Sequence, residues 1–371
     1  MAVIAAAAGF IGNSWAQPQA FVGAQQQTPR YTVIDLGTVG DLIESSAIGI
    51  NERGQIVGNS SQNAAFASAH AAFWAGSGSP AIELSTGGEA GATRAFGINP
   101  RGEIVGVAGQ QASSSYHAVY WASSSSQRMT LTGPGNGQGY NGLAINARGQ
   151  IVGNTFSDDS AIFRVLVWAN SSSFPVQLSG LPGLNNAGLD SFHCLNDAGQ
   201  IVGGAYSDDF TRDRAVFWAN SGTPAVDLGT VAGELSHSFA EAINNKGQIV
   251  GEAWNDSFTI FHALFWANSS SPAIDLGALG GDLTNSIAEG INNRGQITGY
   301  AYNDDFSVQH AIFWANSNSP AIDLNSVIPA GSGWELQRAR GIGPSGVIVG
   351  RGIFGGHTRA FALIPRHGQG N

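Results

Sequence analysis

Charge is scarce in this chain of 371 residues: only 11% are charged, lysine occurs once, at Lys246, and the formal net charge is -10. With no basic run there is no electrostatic footprint for a phosphate backbone, so nucleic acid is excluded as a partner. Cysteine also occurs once, at Cys194, so no intrachain disulfide can form, and no Cys/His cluster has zinc spacing. No segment approaches the ~20 consecutive apolar residues of a membrane helix, so no integral membrane segment is expected. Sustained helical periodicity is missing as well, and helix should be scarce. There is no Gly-x-Ser-x-Gly elbow, no His-Glu-x-x-His pair and no phosphate loop, which favours a binding or structural module over an enzyme.

What is present is 43% hydrophobic material, enough for a sizeable core, cut into short Val/Ile/Phe/Trp runs by 52 glycines and many Ser and Asn residues. The first residues, MAVIAAAAGFIGNSWAQPQA, combine an apolar run with a small-residue Ser14-Trp15-Ala16 pattern, although no Lys or Arg precedes Arg30. This resembles a secretory signal. Residues 1–30 are expected to be a leader or loose tail, residues 366–371 a C-terminal tail, and the protein to be secreted, extracellular or periplasmic.

Between these ends the chain repeats itself. The glycine that opens each GQIVG-like element falls at Gly54, Gly102, Gly149, Gly199, Gly247, Gly295 and Gly346, spacings of 48, 47, 50, 48, 48 and 51 residues. In the sixth copy, residues 286–292, 296–302, 310–315 and 320–324 read as short strands separated by Asn/Gly/Ser/Pro turns. A four-stranded unit of this length is a propeller blade. The seventh copy ends without its fourth strand, while YTVIDLG (31–37) stands alone before the first. The sequence therefore predicts an all-β, seven-bladed β-propeller over residues 31–365, with four antiparallel strands per blade, closed by the N-terminal strand so that no sheet edge is left open.

The repeated motif resembles the HAF repeat of bacterial extracellular proteins, through His70-Ala71-Ala72-Phe73-Trp74, His117 to Trp121, His262 to Trp266 and His310 to Trp314. The resemblance covers residues 31 to 364 and implies export and a repeat scaffold, not an activity. Trp74, Trp121, Trp168, Trp218, Trp266 and Trp314 recur once per blade and are expected to fill the wedge between neighbouring sheets. The column His70, His117, Arg164, Arg214, His262, His310 and Arg359 faces Glu83, Asp227, Asp275, Asp323 and, by closure, Asp35. An acid-base pair within each blade is expected there, in preference to a metal shared between blades.

Function should sit where the copies differ. The loop joining the second and third strands is rich in acids and aromatics in blades three to six: Phe156, Asp158 and Asp159; Tyr206, Asp208 and Asp209; Trp254 and Asp256; Tyr302, Asp304 and Asp305. Aromatic faces stack on sugars, carboxylates bond hydroxyls, and paired Asp oxygens suit Ca²⁺. These residues form a candidate rim for an extracellular glycan or protein, or for Ca²⁺, against the plainer reading of a turn whose Asp caps backbone NH groups and whose Phe covers the blade edge.

A second candidate lies in the first strand. Two residues before its terminal Ile or Leu stand Ile48, Phe96, Leu143, His193, Glu241, Glu289 and Arg340. If the first strand lines the central channel, His193, Glu241, Glu289 and Arg340 lie at one height on one side of it. Interblade pairs, Glu289 with Arg340 and Glu241 with His193, are the structural expectation. The functional alternative is acid-base catalysis by an extracellular polysaccharide hydrolase or lyase, or coordination of a cation.

Overall fold

The computed structural model describes residues 30–66, 68–88, 91–109, 116–135, 139–156 and 163–366. The expected leader therefore lies outside the described residues, apart from Arg30. The rest forms seven four-stranded antiparallel sheets arranged as the blades of a propeller. Blade one contains Glu44–Ile50, Ile56–Ser61, His70–Trp74 and Ile82–Glu83, and the following blades repeat that order. Helix among the described residues is limited to a single 3₁₀ turn, Leu324–Val327.

The repeated glycines explain why the strands turn where they do. Those that open each GQIVG-like element, from Gly54 to Gly346, all have positive φ between 77° and 86°, a conformation that costs an L side chain ~1–2 kcal/mol and glycine nothing. The element's second glycine answers a different demand. At Gly58, Gly106, Gly153, Gly203, Gly251, Gly299 and Gly350 a Cβ would collide with a carbonyl oxygen of the first strand. That close approach goes with a β-bulge, present in blades one, two, five, six and seven, in which Ile48, Phe96, Glu241, Glu289 and Arg340 are the extra residues.

Two sets of hydrogen bonds hold blade to blade. Six buried tryptophans each donate Nε1–H to a carbonyl just past the outer strand of the preceding blade: Trp74 to Leu36, Trp121 to Ser85, Trp168 to Thr132, Trp218 to Ser179, Trp266 to Leu228 and Trp314 to Leu276, at 2.7–3.0 Å. Near the channel, Asn51, Asn99, Asn146, Asn196, Asn244 and Asn292 each donate Nδ2–H to the carbonyl of the residue aligned with them in the next blade, at 2.9–3.1 Å. The same side chains accept two backbone NH groups of their own hairpin turn through Oδ1, as Asn51 does from Arg53 and Gln55. The acid-base pair expected within each blade is present in blades one, five, six and seven. Nδ1 of His70, His262 and His310 hydrogen-bonds Glu83, Asp275 and Asp323 at 2.6–2.8 Å, and Arg359 reaches Asp35 at 2.8 Å. Arg214 and Asp227 are 4.0 Å apart.

Closure follows the expected path. Tyr31–Asp35 pairs antiparallel with His357–Pro365, from Tyr31 opposite Pro365 to Asp35 opposite Phe361, and becomes the outer strand of blade seven. The asparagine ring, however, has a gap. Asn292 donates to Gly343, which has no side chain with which to donate to Asn51 in turn. At this seam the Ser45 hydroxyl accepts from Ala360 N at 3.0 Å, the Glu44 carboxylate accepts from Thr358 N, and Leu363 stands where the other blades have tryptophan.

Two outcomes follow for stability. A Cβ on Gly343 would meet only ordinary contacts, so Gly343→Asn should complete the ring and stabilise the fold by roughly 1 kcal/mol, about 2 °C in melting temperature. Asn244→Ala should cost roughly 1–3 kcal/mol by orphaning buried groups; calorimetry on both variants checks the pair. Deleting residues 31–37 should lower the melting temperature and promote aggregation through an unpaired edge, whereas deleting residues 1–25 should leave both unchanged.

Candidate functional site

The rim loops of blades four, five and six are three copies of one rigid hairpin. In residues 207–212, 255–260 and 303–308 the first NH bonds the sixth carbonyl at 3.0–3.3 Å, and the NH of the fourth residue bonds the first carbonyl at 3.0 Å. That fourth residue is Phe210, Phe258 or Phe306, with φ of 55°, 56° and 59°. It takes the left-handed conformation that glycine would adopt without strain, and its side chain is 41%, 59% or 55% exposed. Phe66 of blade one has the same conformation but is half-buried.

The acids of these loops are partly occupied. Asp209 accepts through Oδ1 from Ser207 Oγ at 2.6 Å and from Thr211 Oγ1 at 2.8 Å, which pulls its carboxyl down to about 2. Asp305 caps Ser307 N at 3.0 Å, again through Oδ1, and hydrogen bonds with Ser307 lower its pKa. Asp304 accepts from Asn285 at 3.1 Å, and Asp208 from Asn185 and Asn186 at 3.4 Å. Asp256 bonds Ser236 Oγ and His237 Nε2, and His237 reaches Asp213 at 3.1 Å on its other side. No three His, Cys, Asp or Glu side chains among the described residues come together as ligands for a metal ion.

The aromatics singled out in the sequence are placed differently. Trp254 is 8% and Tyr302 1% exposed, and Tyr206 is half-buried, so these rings form a packed layer beneath the rim instead of a platform on it. The reason is position: each ends the second strand inside the stack of blades, where Trp254 meets Phe261 at 5.9 Å, Phe261 meets Tyr302 at 6.1 Å and Tyr206 meets Phe239 at 6.1 Å. Four residues further on, the phenylalanines carry the exposed aromatic surface. The signal for them was an aromatic at the turn position that hairpins usually give to glycine. Phe156 ends the second strand of blade three, and Asp158 and Asp159 lie outside the described residues.

The channel candidates are brought together. His193, Glu241, Glu289 and Arg340 line one small cavity of about 20 Å³ with Asp190, Ser191 and Phe192. Phe192 and His193 also line a larger cavity of about 170 Å³ at the mouth of the channel. The expected pairing changes partner: Glu289 meets Arg338 Nη2 at 3.5 Å, while the Arg340 guanidinium lies 5.9 Å from the centre of the Phe192 ring. Arg338 also lies 3.9 Å over the Tyr300 ring. His193 makes its bridge to blade five through its backbone, where its carbonyl accepts from Ile243 N at 3.1 Å, and no side-chain hydrogen bond joins it to Glu241.

Sequence reasoning missed Asp190, Glu252, Arg338 and Arg351. Asp190 sits where the first strand of blade four leaves its ladder after Asn186–Gly188, a break that the repeat alignment hid. Glu252, Tyr300 and Arg351 directly follow the second glycine of the GQIVG-like element in blades five to seven, a visible column that was not singled out. Burial raises the carboxyl pKa values of Asp190, Glu241 and Glu252, with mutual repulsion adding to it, and burial lowers Arg340 and takes His193 down to about 4.

These shifts have a defined pH signature. A carboxyl raised in the fold, as Glu252 is from the ordinary 4.5, contributes stability that is complete below that value and lost as the pH climbs through the raised one. His193, lowered from 6.5 to about 4, acts in the opposite sense: its contribution is complete above 6.5 and lost as the pH falls. Glu252→Gln removes only the first effect. In urea unfolding across a pH series, the wild type should lose stability relative to Glu252→Gln from the ordinary 4.5 upward, and a pH-independent difference would count against a raised Glu252.

No protein-family model matches the sequence, and no curated protein matches it. Among solved structures, YCF48 from Cyanidioschyzon merolae is similar with a TM-score of 0.55 at 8% identity, over 90% of this chain and 99% of that one. The GH74 xyloglucanase from Xanthomonas campestris is similar with a TM-score of 0.50 at 9% identity, over 88% of this chain and 54% of that one. At such identity the likeness is one of fold: this chain is a seven-bladed β-propeller, similar in architecture to these proteins.

Proposed function

We propose that the protein is a secreted or cell-surface propeller that binds an extracellular polysaccharide along the rim of blades four to six. Export rests on the leader-like N-terminus and on the HAF-type repeats. The observation that carries the binding reading is the left-handed, exposed phenylalanine repeated at Phe210, Phe258 and Phe306. Each ring packs on the buried aromatic layer, Phe306 on Tyr302 at 4.5 Å, Phe258 on His237 at 6.0 Å and Phe210 on Phe163 at 5.7 Å, which offsets part of the ~1–2 kcal/mol of strain, yet each residue still leaves a large aromatic surface in water. A row of identical stations, one per blade, suits a ligand that is itself a repeat. Phe faces stack on the apolar faces of sugar rings, and Asp209 and Asp305, whose cited bonds all run through Oδ1, keep Oδ2 for hydroxyls.

The channel carboxylates do not favour the hydrolase or lyase reading. The space they line, about 20 Å³, holds roughly one water and no glycosidic linkage with its two sugars.

A glycan array followed by titration calorimetry tests the reading. Wild type should bind a polysaccharide, and Phe258→Gly with Phe306→Gly should weaken it at least tenfold at a temperature where both proteins are shown by circular dichroism to be folded, relief of backbone strain offsetting the lost stacking on His237, Trp254 and Tyr302. Silence of the wild type across the array, or undiminished binding by the double variant, would overturn it.

A further inference from the structure

The small cavity lined by His193, Glu241, Glu289 and Arg340, with the exposed Asp190 at its edge, has a chemistry that the rim does not use. Three carboxyls, Asp190, Glu241 and Glu289, face it against one guanidinium, Arg340. With the groups packed behind them, Glu252, Arg338 and Arg351, the count is four carboxyls to three guanidiniums, still one acid in excess. Glu241 is the unmatched group. It is 6% exposed, it lines the cavity from the bulge of its strand, and no side chain or backbone group hydrogen-bonds its carboxyl. Oε2 of Glu289 and Oε2 of Glu252 are buried without a hydrogen-bond partner as well, as are Nε of Arg338, Arg340 and Arg351. Buried acceptors left open are costly unless a guest supplies the donors.

The size and walls of the space specify the guest. About 20 Å³ admits one water-sized group, and no metal-ligand cluster forms among the described residues. Phe192, stacked on Phe96 with ring centres 4.8 Å apart, is a wall common to this cavity and to the 170 Å³ mouth. The mouth is ringed by Ile50, Ile98, Ile145, Leu195, Ile243 and Ile342. A primary ammonium group is of water size, offers three donors to carboxylate oxygens and is attracted to an aromatic face.

From this juxtaposition we infer that the channel is a binding site for a small primary amine, whose ammonium group sits among Asp190, Glu241 and Glu289 and whose apolar body fills the mouth beside Phe96 and Phe192. Glu241 supplies the open carboxyl oxygens that the guest's N–H donors fill. Arg338 stays paired with Glu289 and Arg340 stays over Phe192, so neither needs to move for the ammonium to enter. The site is separate from the polysaccharide rim and stands or falls independently of it.

Benzylamine is the probe, with benzyl alcohol as its neutral match in shape, each titrated calorimetrically into the full chain. Benzylamine should bind saturably at one site per chain and raise the melting temperature, and benzyl alcohol should bind at least tenfold more weakly. Glu241→Gln, which preserves shape and removes the charge, should weaken benzylamine at least tenfold without lowering the melting temperature. Absence of saturable benzylamine binding, equal binding of the alcohol, or unchanged affinity in Glu241→Gln would each overturn the inference. The first two comparisons use the unaltered protein, so the test survives even a variant that fails to fold.

Discussion

In every blade a carbonyl oxygen of the first strand occupies the place where a side chain on the facing glycine would begin. This close approach is the constraint on which the rest of the ring depends. It brings the first strand, bulge included, down onto the second, so that the strand ends at the asparagine that caps the hairpin turn and reaches the next blade. In blades one, two, five and six the glycine, the bulge and the interblade asparagine occur together.

The same device separates scaffold from candidate site. In five of the seven blades a bulge sets one extra residue of the first strand outside the ladder, so that residue can vary from blade to blade. In blades one and two it is Ile48 and Phe96, while in blades five, six and seven it is Glu241, Glu289 and Arg340. The channel is thereby apolar on one side and charged on the other, within a framework that treats all blades alike. The outer rim follows a comparable rule. Hairpins of fixed hydrogen bonding in blades four to six hold the phenylalanine in one conformation, so its exposure is set by the backbone and not by the solvent.

The fold could be read almost entirely from the sequence because its determinants are local and repeated: Gly54 to Gly346 mark the turns, six tryptophans mark the wedges, and the orphan strand Tyr31–Asp35 marks the closure. The meeting of His193, Glu241, Glu289 and Arg340 was legible for the same reason, since equal positions in equal blades share a height. Much of what escaped broke the period, although Glu252 and Arg351 stand in a periodic column. Asp190 enters through an interruption peculiar to blade four, and Arg338 takes Glu289 from Arg340 because blade seven's first strand carries an additional bulge between Leu336 and Arg338. Tyr206, Trp254 and Tyr302 looked like surface aromatics because they adjoin loops, yet burial is decided by the neighbouring blade, which lies about 48 residues away in the chain. The phenylalanine itself recurs every 48 residues at Phe210, Phe258 and Phe306, but the left-handed turn that exposes it is set by six residues' hydrogen bonds.

The proposed ligand contact is with the variable rim of blades four to six, not with the repeated scaffold of the ring. Hydroxyl-radical footprinting of the full chain with a bound polysaccharide, read by mass spectrometry, tests this residue by residue. Phe210, Phe258 and Phe306 should be protected together, with the turns at Asn51, Asn146 and Asn244 on the opposite face unaffected. Protection of those turns, with the three phenylalanines still fully reactive, would contradict it.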